Sequence, residues 1–482
     1  MTNINKIEYS LNTTSYTNNK TKNLWFLTEE RPKKEVLETI FKYFAKDYKI
    51  GFFYKDLTII PILNKDKYFD FTYDVIGFNC SIVDKVFIKT VSGYTSFADY
   101  LIFYQENLPK QNDTPIYIIE ETKTDDKESR NTGVYQRSSK FVIANQYYPT
   151  TKKIMLYNLK VKQKEESTLT YIFGTRLLIT FGVKILGKRL DNNVFKPFSS
   201  IDEIIEYKNN IPLPNKTNTP IRLTKYDDKI EISGRLYKSN GLNHDPNIGA
   251  LSIIVAVLRK LGWNKDIIIT QHGLQQKHIG TKNKFIRIAN FLNIKLKGLN
   301  IPKTTLPNNY WHYETEGEKL GTIFIHIVTE NFTESYSIFE NHAGCEKSYF
   351  MTSRQEYIPL VKYENREEYK AGNKNKIVSI PDLVLIDINE RESITIEGKK
   401  FVNKNQGIEE LNNYDSFDNM YLKKYYPTFK IIKTVVLYGS NEESVIEVEV
   451  GFLLNAQGKL ILGINAPKLF KRAINNLLDY WK

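Results

Sequence analysis

The feature that most constrains this chain is a pair of apolar runs with charged residues at fixed places, and the pair occurs twice. In the first copy, Asp99 stands directly before a short apolar run. A polar loop follows, and the second run, 116–124, contains Glu121 and Lys123 near its end. Apolar runs of this length, bounded by turn-forming residues, predict the two strands of a β-hairpin.

The second copy has the same order and a tighter turn. Asp382 precedes the apolar run 383–386, and the run that begins at Ile394 carries Glu397 and Lys399. In both copies, therefore, an Asp opens one strand and a Glu-x-Lys closes the next. A single Glu-x-Lys is common on exposed strands and would mean little, so the repetition is what gives the pattern weight.

The sequence that follows each pair is also alike. The first pair precedes a predicted helix at 133–147 and a strand at 153–157, and the second precedes a predicted helix at 406–425 and a strand at 433–438. Both helices end in Tyr-Tyr-Pro. Strands and helices that alternate in this way predict an α/β fold.

The charged residues of the two pairs suit one kind of chemistry. Because a strand alternates its side chains, Glu121 and Lys123 are predicted to share a face, and Glu120 to point to the opposite face. Carboxylates so placed can hold Mg²⁺, which neutralises the charge that builds on a phosphodiester under attack by water. The candidate catalytic residues are Asp99, Glu121, Lys123, Asp382, Glu397 and Lys399. The candidate Mg²⁺ ligands among them are Asp99, Glu121, Asp382 and Glu397.

An Asp followed by Glu-x-Lys across a hairpin resembles the PD-(D/E)xK nuclease superfamily, which includes the type II restriction endonucleases. Pro381 and Asp382 match the start of that motif, whereas Ala98 replaces the Pro in the first copy. The resemblance implies an α/β protein in which two restriction-endonuclease-like mixed-sheet domains flank a central recognition segment. The expected segments are 1–200, 220–345 and 346–482.

The charge balance agrees with a polyanionic partner. Lys and Arg total 68 and Asp and Glu total 55, which leaves a net charge of +13. Such a balance suits nucleic acid or an anionic membrane surface. No apolar run approaches the length of a bilayer span, and two cysteines are too few for a disulfide framework. We therefore expect a cytoplasmic protein that binds double-stranded DNA and no membrane.

Candidate DNA contacts lie outside the two hairpins. Gln136 and Gln406 stand near the start of the helix after each hairpin, where an amide can bind a water or a phosphate. The amide-rich stretch 271–278 is a candidate reader of base edges, because Asn and Gln suit adenine. A solvated surface residue is the competing interpretation for each member. The candidate set is Gln136, Arg137, Gln271, His272, Gln275, Gln276 and Gln406. Further candidate phosphate contacts are Lys127, Arg130 and Lys140.

These expectations favour a type II restriction endonuclease. Two unlike centres in one chain suit a monomer in which each centre cuts one strand. If one copy is instead structural, the other centre would cut both strands, sequentially or as a homodimer. A DNA methyltransferase that acts on the same site is then an expected partner. One alternative is a repair or mobile-element nuclease, or a resolvase, with the same chemistry. A second alternative, from a different class, is a DNA-binding protein with inactive nuclease folds.

Overall fold

The structure is a computed structural model, and it describes most of the chain. The described residues are 21–63, 69–93, 96–122, 133–158, 168–212, 220–238, 241–242, 245–314, 318–341, 349–360, 378–438, 452–454, 460–462 and 466–481. Helices alternate with strands in several mixed sheets, so the α/β prediction is confirmed. Within these ranges, no helix combines the length and the apolar character needed to cross a membrane.

The helices and strands are numbered in chain order. The α-helices of eight residues or more are α1 (Lys34–Tyr48), α2 (Gly133–Tyr147), α3 (Leu169–Phe181), α4 (Ile201–Asn210), α5 (Asp245–Lys260), α6 (Lys284–Phe291), α7 (Lys319–Phe332), α8 (Lys404–Asn412) and α9 (Lys468–Tyr480). The strands are β1 (Lys22–Thr28), β2 (Phe52–Leu63), β3 (Phe69–Cys80), β4 (Val83–Gly93), β5 (Tyr100–Gln105), β6 (Tyr117–Thr122), β7 (Lys152–Tyr157), β8 (Val183–Leu186), β9 (Arg222–Lys225), β10 (Lys229–Ser233), β11 (Tyr237–Lys238), β12 (Gly241–Leu242), β13 (Asp266–Thr270), β14 (Ile294–Leu296), β15 (Trp311–Tyr313), β16 (Tyr336–Glu340), β17 (Tyr349–Met351), β18 (Tyr357–Pro359), β19 (Leu383–Asp387), β20 (Glu392–Lys400), β21 (Lys430–Tyr438), β22 (Phe452–Leu454) and β23 (Leu460–Leu462). The helix predicted at 133–147 is α2 and is confirmed. The single helix predicted at 406–425 is interrupted, because α8 ends at Asn412 and short helical turns follow at Asp415–Phe417, Asp418–Leu422 and Lys423–Tyr425.

The chain divides into two compact units, which we call the terminal unit and the central unit. The terminal unit comprises Met1–Val91, Tyr104–Leu108 and Tyr313–Lys482, and the central unit comprises Ser92–Phe103 and Pro109–His312. The boundaries of these two units differ from the boundaries of the three expected segments. In particular, α7 and β16 belong to the terminal unit, although the sequence had placed them in the central segment. The roles assigned to 1–200, 220–345 and 346–482 stay predictions.

In the terminal unit, six strands form a mixed sheet in the order β16-β19-β20-β21-β22-β23. The first three strands run antiparallel, and β21 then lies parallel to β20. One face of the sheet packs on α7, where Gly321 brings the helix close to Val436. On the other face, Val435 and Leu437 pack with Leu411 of α8. The β19–β20 hairpin is therefore held between two helical layers.

In the central unit, which includes β5 as far as Phe103, the strands β5, β6, β7 and β8 are successive neighbours. The strands β5 and β6 form an antiparallel hairpin, and β7 and β8 continue parallel to β6. The helix α2 connects β6 to β7 and packs closely on α5. A Cβ added at Gly249 of α5 would stand 1.6 Å from the carbonyl oxygen of Tyr135 in α2. Only glycine permits this approach, which fixes the position of α2.

Candidate functional site

The β19–β20 hairpin brings Asp382 and Glu397 together. Strand pairing sets Leu383 opposite Ile396. Because the strands are antiparallel, Asp382 before Leu383 and Glu397 after Ile396 lie beside each other. The Gly398 N–H donates a hydrogen bond to Asp382 Oδ2 at 2.9 Å, and the Asp382 N–H donates to the Ile396 carbonyl oxygen at 3.1 Å. The carboxyl group of Asp382 is thus anchored to the strand that carries Glu397.

Lys399 completes this group of side chains, which we call the Asp382 cluster (Asp382, Glu397 and Lys399). The Lys399 ammonium donates to Glu397 Oε1 at 2.7 Å and also contacts Glu410 Oε2 at 2.8 Å. Gln406 in turn donates to Glu410 Oε1 at 2.8 Å. The Tyr414 hydroxyl donates to Glu397 Oε2. The three residues predicted from the second motif copy therefore meet, and Gln406 reaches them through Glu410.

Burial governs the electrostatics of the Asp382 cluster. Burial raises the pKa of Glu397, and the nearby charge of Asp382 raises that pKa further. Burial also raises the pKa of Asp382, although the Gly398 N–H offsets part of the effect. Burial alone would lower the pKa of Lys399, but its hydrogen bonds to the two glutamates outweigh burial and raise that pKa. The cluster thus holds two carboxyl groups that both gain from a nearby positive charge.

Gly398 is required by the packing around the cluster. A Cβ at this position would stand 2.6 Å from Thr322 Cγ2 and 3.2 Å from Asp382 Oδ2. It would also stand 3.3 Å from the carbonyl oxygen of Glu318, directly before α7. The middle residue of the Glu-x-Lys is therefore a glycine because α7 covers this side of β20.

The β5–β6 hairpin repeats the same carboxylate pairing, with one difference from the sequence prediction. Tyr100 pairs with Ile119, which sets Asp99 beside Glu120. The Glu121 N–H donates to Asp99 Oδ2 at 2.7 Å, as the Gly398 N–H does to Asp382. The Asp99 N–H donates to Glu120 Oε2 at 3.3 Å. Glu120, and not Glu121, thus occupies the place that Glu397 holds in the second hairpin.

The carboxylate of Glu121 lies elsewhere, because successive side chains of a strand point to opposite faces. It accepts hydrogen bonds from Asn158 Nδ2 at 3.0 Å and from the Tyr100 hydroxyl at 3.4 Å. The structure therefore joins Asp99 to the backbone of Glu121 and to the side chain of Glu120. Lys123, the last residue of the first predicted triad, lies outside the described residues.

A lysine from α2 reaches the first hairpin. The Lys140 ammonium lies 2.8 Å from Glu120 Oε1 and 3.1 Å from Asp99 Oδ1. We call this group the Asp99 cluster (Asp99, Glu120 and Lys140). Burial raises the pKa of Glu120 to about 8, with a further contribution from Asp99 that Lys140 partly offsets. In the sequence, Lys140 had been only a candidate phosphate contact, since its distance along the chain from Glu120 carries no local signal.

Arg137 and Gln136 lie on the same helix as Lys140. The Arg137 guanidinium donates from Nε to the Glu121 carbonyl oxygen at 2.9 Å and lies 3.7 Å from Glu120 Oε1. Arg137 is therefore tied to the end of β6. Gln136 is half-buried on α2. Among the described residues, Arg137 forms a hydrogen bond to the hairpin, and none is seen from Gln136.

The candidate base-reading stretch separates into inward and outward residues. His272 is buried, with Nε2 3.0 Å from the Lys297 carbonyl oxygen and Nδ1 accepting from the Leu274 N–H at 3.0 Å. Gln276 exchanges two hydrogen bonds with the backbone of Asn300, at 2.9 and 3.0 Å. These two residues hold the loop together. Gln271, Gln275 and Gln276 are exposed.

The donors of both clusters are consistent with Mg²⁺ as regards number and type. Among the residues that the structure describes, no group of three or more His, Cys, Asp or Glu side chains is arranged to hold a metal ion. Each cluster does offer two adjacent carboxyl groups. Mg²⁺ is commonly held by one or two carboxylates and keeps several waters, so two are sufficient.

Comparisons of the chain with protein-family models, with curated proteins and with solved structures gave no match. No relative therefore supplies a function or a set of functional residues. The internal comparison is more informative, because two hairpins of one chain pair an Asp with a Glu in the same register.

Proposed function

We propose that this protein is a Mg²⁺-dependent endonuclease that cleaves double-stranded DNA at specific sites, in the manner of a type II restriction enzyme. One centre would serve each strand. The observation that carries the proposal is the Asp382 cluster, in which Lys399 lies 2.7 Å from Glu397 beside Asp382. The second Asp–Glu pair at Asp99, in the same register, supports the division between strands.

The residues of the Asp382 cluster have distinct parts in this proposal. Asp382 and Glu397 would hold the ion, which supplies positive charge to the scissile phosphate and to an attacking water. Lys399 would orient that water or stabilise the charge that develops on the phosphate oxygens. Glu410 holds the ammonium from the other side, at 2.8 Å, and Tyr414 holds the second oxygen of Glu397. The two groups from α8 and the turn after it therefore position the reacting groups.

The net charge of +13 supports DNA as the substrate, since a basic surface supplies most of the affinity for a polyanion. Site preference would come from residues that reach base edges. Exposed Gln271 is the better candidate of the predicted stretch, because His272 and Gln276 are bonded within the loop and Gln275 forms a capping box with His278. A cognate methyltransferase and a cytoplasmic location complete the proposal.

Supercoiled plasmid provides the test. The wild-type protein with Mg²⁺ should produce linear DNA with discrete ends, and excess chelator should abolish cutting. Lys399→Ala should leave one strand intact and give open circles while DNA binding in a gel-shift assay is retained. Lys400→Ala is the matched control, because it removes a neighbouring lysine whose side chain alternates to the other face.

Three outcomes would contradict the proposal. Cleavage that is undiminished in excess chelator would exclude the metal mechanism. Cleavage directed to branched or mismatched DNA would favour a repair nuclease or a resolvase. Tight DNA binding without cleavage of plasmid or bacteriophage DNA would favour a DNA-binding protein with inactive folds.

A further inference from the structure

We propose that Glu120 and Lys140 complete the first centre beside Asp99, and that Glu121 does not face it. This inference rests on the proposed nuclease function and specifies which groups act on one of the two strands. It also means that the two centres take their lysine from different elements, the second from the hairpin itself and the first from the helix that follows.

The strand register is the same in the two hairpins. Asp99 pairs with Glu120 in the first hairpin in the way that Asp382 pairs with Glu397 in the second. The backbone confirms the correspondence, since each Asp accepts an N–H from the residue after its Glu, at 2.7 and 2.9 Å. Counting two residues on from Glu120 gives Thr122, which stands where the second hairpin has its lysine.

Lys140 supplies the positive charge that the first hairpin itself does not provide at Thr122. Thr122 is buried and carries no charge. The Lys140 ammonium lies 2.8 Å from Glu120, and the Lys399 ammonium lies 2.7 Å from Glu397. A positive charge is therefore beside the paired glutamate in both hairpins, although it comes from different elements.

The helix α2, which carries Lys140, is tightly packed against its neighbours. The close approach of Gly249 to the Tyr135 carbonyl fixes α2 against α5. A second contact acts on the same turn of α2, because a Cβ at Gly174 would stand 2.8 Å from Val134. Arg137 ties the helix to the end of β6 at 2.9 Å. Lys140 is thus presented from a packed helix, as a group that acts on substrate must be.

Glu121 forms side-chain hydrogen bonds away from the Asp99 cluster. Its carboxylate accepts from Asn158 at 3.0 Å and from Tyr100 at 3.4 Å, and its backbone N–H is used by Asp99. These bonds link the end of β6 to the residue after β7 and to β5. Glu121 therefore supports the strands around the centre and does not face it.

Two pairs of variants test this assignment with supercoiled plasmid and strand-specific end sequencing. Lys140→Met and Glu120→Gln should each slow the cutting of one strand by about 100-fold or more, so that open circles accumulate. Lys123→Ala and Glu121→Gln are the matched controls and should still linearise plasmid. Circular dichroism and size-exclusion chromatography check that each variant is folded, and Lys140→Gln replaces Lys140→Met if the latter is not.

Mn²⁺ binding measured by calorimetry gives a readout that does not depend on cleavage. Glu120→Gln should remove the ions bound at one centre, and Glu121→Gln should leave the wild-type stoichiometry. The assignment is overturned if Lys123→Ala nicks while Lys140→Met linearises, or if Glu121→Gln is the variant that loses ions. It is also overturned if none of the four variants alters cleavage, since the first hairpin would then be structural. If the wild type does not cleave DNA but Glu120→Gln still binds fewer Mn²⁺ ions than the wild type, the nuclease function is refuted. Glu120 would then remain assigned as a cation ligand.

Discussion

The carboxyl group of Glu120 should contribute a fall in stability as pH rises through neutrality, and Glu120→Gln should remove that contribution. Burial, with a further contribution from Asp99, raises the pKa of Glu120 from its ordinary 4.5 to about 8. Between these values the folded chain holds a proton that the unfolded chain has released. Folding is therefore favoured at the acidic end of the window and loses that advantage as pH approaches 8.

The size of the effect follows from the width of the window. One proton taken up on folding changes the free energy of unfolding by about 1.4 kcal/mol per pH unit. Glu120 is 2% exposed, so solvent screens the effect little. Between about pH 5 and about pH 8, Glu120→Gln should thus gain about 3–4 kcal/mol relative to the wild type.

Urea unfolding in chelator, followed by circular dichroism at several pH values, measures this difference. Glu203→Gln is the control, because it lies in the same unit and its carboxyl group is perturbed in the opposite direction. Burial opposes ionisation of Glu203, but hydrogen bonds from Ser199 and Arg176 outweigh it and lower its pKa to about 2. The stability that Glu203 contributes is lost only as pH falls below its ordinary value of 4.5. The difference in stability between Glu203→Gln and the wild type should therefore stay constant between about pH 5 and about pH 8. Equal pH trends in the two variants would refute the buried Asp99–Glu120 pairing.

Two further predictions concern the terminal unit, and both are checked by urea unfolding. Gly398→Ala should lower the free energy of unfolding by about 1–3 kcal/mol, because the added Cβ would stand 2.6 Å from Thr322 Cγ2. Gly51→Ala, where nothing lies within 4 Å, is its control, and a similar loss there would remove the packing explanation. Arg472→Ala should cost about 2 kcal/mol, because Arg472 Nη2 lies 2.8 Å from Asp387 Oδ1, whose side chain is 2% exposed. A change below about 0.5 kcal/mol would show that Asp387 is satisfied without the arginine.

The sequence by itself determined the second candidate centre. Only one glutamate stands near the end of β20, and a turn of four residues joins β19 to β20. A short turn leaves little choice of register, so Asp382, Glu397 and Lys399 could be predicted to meet from period-two alternation alone. The helix α2 and the strand that follows the helical region after each hairpin were likewise readable from local patterns.

Only the tertiary structure decided the first candidate centre. Two adjacent glutamates close β6, and the loop before it is long, so local alternation cannot say which of Glu120 and Glu121 faces Asp99. A shift of one residue in the pairing exchanges the two faces, and long-range strand pairing sets that shift. Lys140 depends on the same cause, because it reaches Glu120 only through the packing of α2 on its neighbours. Spacing along the chain carries no information about a contact made by folding a helix back over a sheet.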